Sequence, residues 1–109
     1  MGLHKDTFEI LVSLADRDRH GYAILQDIAA RTAGEVRLSP STLYSAIRRL
    51  LEDGMIEELE ERPDPAHDDQ RRRYYRLTPH GRKIAMAEAR RLARLLADAR
   101  ATGLLPKRP

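Results

Sequence analysis

The chain has 109 residues, enough for one domain and too few for a second that folds independently. Cysteine is absent, which excludes disulfides, thiolate metal sites and cysteine nucleophiles. No apolar run is long enough for a signal core or a membrane span, so we expect a cytoplasmic protein. With 5% aromatic residues and no tryptophan, the core must be mainly aliphatic, and a partner chain is expected to add stability.

The formal net charge is only +3, but the charges are unevenly distributed. Residues 52–69 contain nine carboxylates and one arginine, whereas residues 71–94 contain nine basic residues and one glutamate. A basic surface favours a polyanion such as nucleic acid, although solvated helix faces also carry many charges. Composition alone leaves both interpretations open.

Apolar residues at helical spacing predict two helices in the first third of the chain. The first spans about residues 6–15, and Asp6 is its expected N-cap. The second spans about residues 22–33, and Gly34 is placed to end it. Both helices have an apolar stripe that predicts burial of one face.

A third helix is predicted over about residues 39–53, because Ser39 can cap it, Pro40 fits its first position and Gly54 follows it. Its apolar stripe consists of Leu43, Ala46, Ile47, Leu50 and Leu51. The opposite face carries hydroxyls and arginines, namely Ser41, Ser45, Arg48, Arg49 and Glu52, with Thr42 and Tyr44 on the flanks. Such a face suits a DNA major groove, and an ordinary amphipathic surface helix is the alternative.

A β-hairpin with a long tip is predicted from MIEELEER and RRRYYRLT, which the loop-forming segment PDPAHDDQ separates. In the first strand Ile56 and Leu59 are out of phase, so we expect a bulge or an early end there. Residues 36–38 are the candidate for a short third strand of the sheet.

Three arginines open the second strand of the hairpin. Because strand residues alternate between faces, Arg71, Arg72 and Arg73 cannot all face a core. We expect them to contact the DNA backbone or minor groove, and protection of an exposed sheet edge is the alternative. The order of elements predicts a mostly α fold with a small β-hairpin, which is a winged helix-turn-helix followed by a long C-terminal helix.

The final helix is predicted from Thr78-Pro79 to about Thr102. Small and apolar residues recur in it at spacings of 4, 3, 4, 3 and 4: Ala85, Ala89, Leu92, Leu96, Ala99 and Gly103. This heptad seam predicts packing against a second copy of the chain, against the first helix of the same chain, or both. We expect a DNA-binding unit over residues 1–79 and a dimerisation helix with its tail over residues 80–109, joined as one compact unit.

Three stretches, HGYAILQDI, LSPSTLYSAIRRLLEDGMIEELEER and RRRYYRLTPHGR, strongly resemble the PadR family of transcriptional regulators over residues 8–88. The resemblance implies a winged helix-turn-helix dimer, usually a repressor, whose DNA affinity often falls when a small molecule or stress signal acts. It implies a recognition helix over residues 41–52 and places Tyr44 close to DNA, with packing as the other role for that ring. We expect Gly21 to permit a close backbone approach, and Tyr22 to pack between helices rather than to bind a phosphate.

No catalytic constellation is evident, because the four histidines, His4, His20, His67 and His80, lack both metal-ligand spacing and a base-orienter pairing. His67 with Asp64, Asp68 and Asp69 could hold a metal loosely, but we expect a solvated loop. We expect no enzyme and no cofactor, but a homodimeric regulator that binds a near-palindromic DNA duplex. The rival hypothesis is a winged-helix interaction or ligand-sensing protein without specific DNA binding. The residues expected to contact DNA are Ser39, Ser41, Thr42, Tyr44, Ser45, Arg48, Arg49, Arg71, Arg72 and Arg73.

Overall fold

Four helices and three short strands make up the described part of the computed structural model, which covers residues 3–59 and 73–106. The described elements, in chain order, are α1 (Lys5–Asp16), β1 (Arg19–His20), α2 (Gly21–Arg31), α3 (Pro40–Glu52), β2 (Ile56–Leu59), β3 (Tyr74–Leu77) and α4 (Pro79–Ala101). The strands form one antiparallel sheet in the order β1-β3-β2. A mostly α architecture with a small sheet is therefore confirmed.

An aliphatic core joins α1, α2 and α3 to the sheet. Its fully buried hydrophobic members are Ile10, Leu11, Ile24, Ile28, Leu43 and Leu50. The sheet closes the core with Ile56, Tyr75 and Leu77. These side chains occupy the helical and alternating positions that the sequence pattern indicates, and their burial is the main term that holds the three-helix unit together.

The predicted N-cap of α1 is wrong. His4 rather than Asp6 caps the helix, because its Nδ1 accepts a hydrogen bond from the Asp6 amide at 3.1 Å. Asp6 lies instead in the first turn, where a carboxylate interacts favourably with the helix dipole. A neutral histidine offers one ring nitrogen as an acceptor and can therefore replace a carboxylate as a cap.

The boundaries of α2 also differ from the prediction, with a start one residue earlier and an end two residues earlier. His20 caps the start through Nδ1. At the other end the Gly34 amide donates to the Ala29 carbonyl at 2.8 Å. Gly34 therefore helps to end the helix as predicted, but the left-handed position directly after the cap belongs to Ala33, with a φ of 53°.

The third strand of the sheet is β1, and the prediction of a strand at residues 36–38 is wrong. A two-residue strand has no periodicity that a sequence pattern could reveal. Of the expected bulge or early end, the bulge is absent from β2, which pairs residue by residue with β3. The early end concerns residues after Leu59, which lie outside the described residues. Ile56 is buried and Leu59 is half-buried on the opposite face, so the two are out of phase as predicted.

The caps of α3 and α4 are confirmed. The Ser39 hydroxyl accepts a hydrogen bond from the Thr42 amide at 3.1 Å, and a proline follows it. The Thr78 hydroxyl accepts one from the Gly81 amide at 3.0 Å, again before a proline. Among the described residues, no helix is both long and apolar enough to cross a membrane.

Candidate nucleic-acid interface

The exposed face of α3 is polar along its whole length. Its exposed side chains are Ser41, Thr42, Tyr44, Ser45, Arg48, Arg49 and Glu52. Leu43, Ile47 and Leu50 are buried on the other side of the helix. The predicted division of α3 into a core stripe and a polar face is confirmed, whereas its contact with DNA remains a prediction.

Hydroxyl groups are concentrated at the N-terminal end of this face. The Ser39 hydroxyl lies 2.9 Å from the Thr42 hydroxyl and 3.3 Å from that of Ser41. Hydroxyls at a helix N-terminus, together with the positive end of the helix dipole, favour contact with an anion such as a phosphate.

The two arginines of α3 have no hydrogen-bond or ion-pair partner among residues 3–59 and 73–106. Several arginines elsewhere are held by carboxylates: Arg76 lies 2.9 Å from Asp18. An unpaired guanidinium keeps all five N–H donors for a ligand. Arg48 and Arg49 can therefore contact phosphate oxygens or the O6 and N7 atoms of guanine without breaking an internal pair.

An ion-pair network behind the interface fixes α2 on α1. Arg31 lies 3.1 Å from Glu9 of α1 and 2.9 Å from Asp27, and Arg19 lies 3.4 Å from Asp27. Burial raises the pKa of Asp27, but hydrogen bonding to Arg31 and the charges of both arginines outweigh it and hold that pKa below its usual value. Helix α2 is thereby held against α1, and α3 packs next to it in the shared core.

Tyr44 packs against α2 through one part of its ring, whereas its contact with DNA stays a prediction. Its ring lies over Gly21, so closely that a Cβ at residue 21 would overlap with the phenol. The predicted close approach at Gly21 is therefore confirmed. Even so, 46% of Tyr44 stays exposed on the polar face of α3.

Tyr75 of β3 lies in the core behind the interface. Its burial, and to a lesser degree the carboxylate of Glu58, raise its pKa.

The expectation that Tyr22 packs between helices is wrong. Tyr22 is 57% exposed, because the buried stripe of α2 consists of Ile24 and Ile28. Residue 22 lies 200° from Ile24 around the helix at about 100° per residue, which turns it away from the core.

The three arginines of the hairpin fall only partly within the described residues. Arg71 and Arg72 lie outside them, as do His67 and its neighbouring aspartates. Arg73 precedes β3, and its Nη1 lies 3.5 Å from Oε1 of Glu58. The side chain of Arg73 is 72% exposed, and such a surface pair is weak enough to exchange for a phosphate. In the part of the chain that the structure describes, no group of three His, Asp or Glu residues could hold a metal ion.

A polar groove of about 340 Å³ beside α3 was not indicated by the sequence. It lies between the N-terminus of α1 and the polar face of α3, and its lining includes His4, Thr7, Ser45 and Arg49. Because His4 and α3 are far apart in the chain, no local pattern could have placed them side by side.

The seam of α4 differs in exposure along its length. Ala85 and Ala89, near its start, line an apolar groove of about 180 Å³ together with Phe8 and Val12 of α1. Helix α4 contacts α1 here and Ala85 packs on the core, so the predicted packing against the first helix is confirmed for Ala85, whereas Ala89 is exposed. In the second half Leu96 is 41% exposed, and the neighbouring Leu95 is 56% exposed. Leu92 and Ala99 are half-buried.

Comparison with known proteins assigns this arrangement to a family. A model of the "Transcriptional regulator PadR-like family" matches residues 10–87. The "Transcriptional regulator Rv3488" of Mycobacterium tuberculosis (strain ATCC 25618 / H37Rv) is 39% identical over 88 residues, which are 81% of this chain and 75% of that protein. An uncharacterized 37.1 kDa protein in transposon TN4556 of Streptomyces fradiae is 38% identical over 86 residues. Those residues are 79% of this chain, but only 22% of that protein's length.

A solved structure shares the fold. A transcriptional regulator from Clostridium thermocellum superposes with a TM-score of 0.68 and is 28% identical. The match covers 93% of this chain and 92% of that one. The predicted winged helix-turn-helix, with helices in the majority and a small antiparallel sheet, is therefore confirmed.

Proposed function

The chain belongs to the PadR-like family of transcriptional regulators, and on that premise we propose that it is a homodimeric repressor that reads duplex DNA with α3. The observation that carries the proposal is the exposed face of α3, where Arg48 and Arg49 are free of internal partners among the described residues. A reading helix in a major groove needs such donors, because each base pair there presents a distinct pattern of acceptors and donors.

The polar face of α3 carries hydroxyl groups near its N-terminus and arginines further along the helix. The hydroxyls of Ser41, Thr42 and Ser45 suit phosphate oxygens and base edges near the N-terminus of α3, the end that approaches the bases in helix-turn-helix complexes. Arg48 and Arg49, about one turn beyond Ser45, suit guanine edges or the backbone of the groove. Tyr44, held over Gly21, adds a rigid amphipathic contact at the flank.

Dimerisation through α4 supplies the second reading helix. Leu95 and Leu96 in its second half are exposed in the single chain, Leu92 is half-buried, and burial of a leucine contributes about 1.5–3 kcal/mol. A two-fold dimer places two copies of α3 in successive turns of one DNA face, about 10 base pairs apart or a multiple of that. A dimer seated in this way on a near-palindrome blocks other proteins from the same duplex, which is the physical basis of repression. An effector that changed the relation between the two copies of α3 would release the DNA.

The test is a titration of wild type and of Arg48→Ala and Arg49→Ala against a genomic fragment that the wild type selects and against a scrambled duplex. Loss of a bidentate guanine contact should weaken specific binding by about 1–3 kcal/mol. Arg90→Ala is the matched control, because it removes an exposed arginine of α4 that also has no ion pair among the described residues.

Three outcomes separate the hypotheses. A selective loss in the α3 variants supports reading by α3. Unchanged specificity in both variants would remove α3 as the reader. If the wild type bound no duplex in a salt-dependent way, the rival interaction or sensing role would replace DNA binding, because phosphate contacts always release counterions.

A further inference from the structure

The polar groove between α1 and α3 has the size of a site for a small molecule. Its volume of about 340 Å³ is at the lower end of the range of about 300–1,000 Å³ in which such sites fall. One wall is the first turn of α1, with Asp6 and Thr7, and the other is the polar face of α3, with Ser45 and Arg49. We call it the α1–α3 groove.

The α1–α3 groove is lined by one acid and one arginine that do not pair with each other. Arg49 has no hydrogen-bond or ion-pair partner among residues 3–59 and 73–106. The carboxylate of Asp6 accepts no hydrogen bond from the same residues, although its side chain is only 24% exposed. Two opposite charges therefore border one space, and each is left to bind a group that enters it.

His4 does not neutralise the carboxylate of Asp6. Its Nδ1 lies 3.9 Å from Oδ2 of Asp6, but the same nitrogen accepts the hydrogen bond of the Asp6 amide at 3.1 Å. A ring nitrogen that accepts a hydrogen bond bears no proton. It therefore offers the carboxylate neither a donor nor a positive charge.

The uncharged part of the lining suits the middle of a short polar ligand. Thr7 follows Asp6 in α1, and Ser45 lies one turn before Arg49 in α3. Both hydroxyls can donate or accept a hydrogen bond. Ala46 is half-buried in the same lining and offers its methyl group to an aliphatic stem.

We propose that the α1–α3 groove binds a small zwitterion that carries an ammonium group at one end and a carboxylate at the other. The ammonium binds the carboxylate of Asp6. The ligand's carboxylate binds the guanidinium of Arg49, whose planar fork of N–H donors matches it. The bound ligand covers Ser45 and Arg49, and DNA cannot then reach them. Exclusion of DNA rests on the proposed function, whereas binding of the zwitterion does not.

Calorimetric titration of the full chain with ω-amino carboxylates tests the ligand site. The series glycine, β-alanine, γ-aminobutyrate, δ-aminovalerate and ε-aminocaproate lengthens by one methylene at each step. We expect the affinity to pass through a maximum at the length that joins the two charges. Butyrate and butylammonium each keep one charge and should bind about tenfold more weakly than the best member, because each lacks one charged pair.

Variants of both charged residues test where the ligand binds. Asp6→Asn should weaken binding of the best member about tenfold, with Asp98→Asn as the control for an exposed acid. Asp6→Glu keeps the charge and adds one methylene, so the preferred ligand should become one methylene shorter. Arg49→Ala should lose the ligand, whereas Arg48→Ala should keep it, because Arg48 is not part of the lining.

Competition with DNA is measured by fluorescence anisotropy on a genomic duplex that the wild type selects. With the best member at about ten times its dissociation constant, the apparent dissociation constant for DNA should rise about tenfold. A zwitterion carries no net charge and adds no ionic strength, so a salt effect does not account for this rise. Asp6→Asn should bind the same duplex as wild type does and keep that affinity when the ligand is added.

Each other outcome overturns a stated part of the proposal. If no member of the series binds, or if butyrate binds as tightly as the best member, the zwitterion site is wrong and DNA binding stands. An unchanged length preference in Asp6→Glu would remove Asp6 from the site. If the ligand binds without weakening the DNA complex, exclusion of DNA is wrong.

Failure of the proposed function is distinguishable from these results. If wild type binds no duplex but selects one ligand length, DNA reading fails and the ligand site stands. Thermal unfolding verifies that both Asp6 variants keep the fold. If they do not, Thr7→Val, which keeps the shape of residue 7 and removes its hydroxyl, should weaken the ligand severalfold, and full affinity would contradict the site.

Discussion

At the scale of single residues, the arginines of α1 to α3 and β1 differ in whether a carboxylate holds them. Arg19 and Arg31 bind carboxylates and hold α1, β1 and α2 together. Arg37, Arg48 and Arg49 have no such partner and lie on or beside the polar face of α3. Breaking a partly buried ion pair costs free energy, because it leaves the carboxylate without its partner. A solvated guanidinium gives up only bound water when it binds a ligand.

Ala33 occupies a backbone position that favours glycine. Its φ of 53° lies in the left-handed region, where a Cβ costs about 1 kcal/mol. We expect Ala33→Gly to stabilise the fold by about 0.5–1 kcal/mol, less any gain in the entropy of the unfolded chain. Urea denaturation of both proteins measures the difference. A destabilised Ala33→Gly would contradict the expectation and show that the entropy gained by the unfolded chain outweighs the relief at this backbone position.

Asp27 makes the stability of the fold depend on pH. Its pKa is lowered in the folded chain from the usual 3.8, so its charged form stabilises the fold above that pH. This contribution is lost as the pH falls through the lowered value. We expect Asp27→Asn to destabilise the fold at pH 7 by about 1–3 kcal/mol, with the difference from wild type shrinking at a pH well below 3.8.

Denaturant titrations at the two pH values measure this effect, with Asp98→Asn as the control. Asp98 is exposed and has no ion pair with a described residue. A penalty for Asp27→Asn that is the same at both pH values would show that packing, not charge, accounts for it.

At the scale of elements, the sequence could predict what depends on near neighbours. The Ser39 and Thr78 caps, each followed by a proline, place the starts of α3 and α4 correctly. The apolar stripe of α3 correctly gives its exposed face. These features arise within four residues of one another and therefore leave a local pattern.

The same patterns miss what depends on distant partners. Strand β1 forms only because β3 lies beside it, where Arg19 pairs with Tyr75, 56 residues further along the chain. Aspartate is a preferred N-cap residue and histidine is not, so the local pattern predicts Asp6, whereas His4 caps α1 in the structure.

We propose that the three arginines of the hairpin raise the affinity for any DNA duplex and do not select its sequence. Replacement of Arg71, Arg72 and Arg73 by Gln should weaken binding to all duplexes. The salt slope should fall by about one unit for each lost phosphate contact. Affinity measured at several salt concentrations on specific and scrambled duplexes decides the matter. A salt slope equal to that of wild type would show that these arginines make no phosphate contact and only protect the sheet edge.

The second half of α4 holds the dimer in our proposal. Leu92 and Leu96 are the only large residues of its seam, and each should contribute about 1.5–3 kcal/mol when buried by a partner. Leu92→Glu with Leu96→Glu removes this burial and places like charges opposite one another. Sedimentation should then show a folded monomer with poor DNA affinity. A folded double variant that stays dimeric would place the interface elsewhere, with α1 as the first candidate.

At the scale of the whole molecule, the described residues extend over 51 × 28 × 25 Å. The sequence correctly gives the winged helix-turn-helix and both faces of α3. It does not predict the polar groove between the N-terminus of α1 and the polar face of α3, because that groove joins segments that are distant in the chain. Surfaces built from several elements follow from the packed core and leave no periodic signal of their own.

Genome-wide footprinting of the protein in its own host is the most direct test of a dimer that reads DNA with two copies of α3. We expect protected sites that share a near-palindromic sequence, with half-site centres about 10 base pairs, or a multiple of that, apart. Protection should disappear from these sites when Arg48 and Arg49 are both replaced by Ala. Sites without two-fold symmetry, or a pattern unchanged in that variant, would contradict sequence reading by a symmetric dimer through α3.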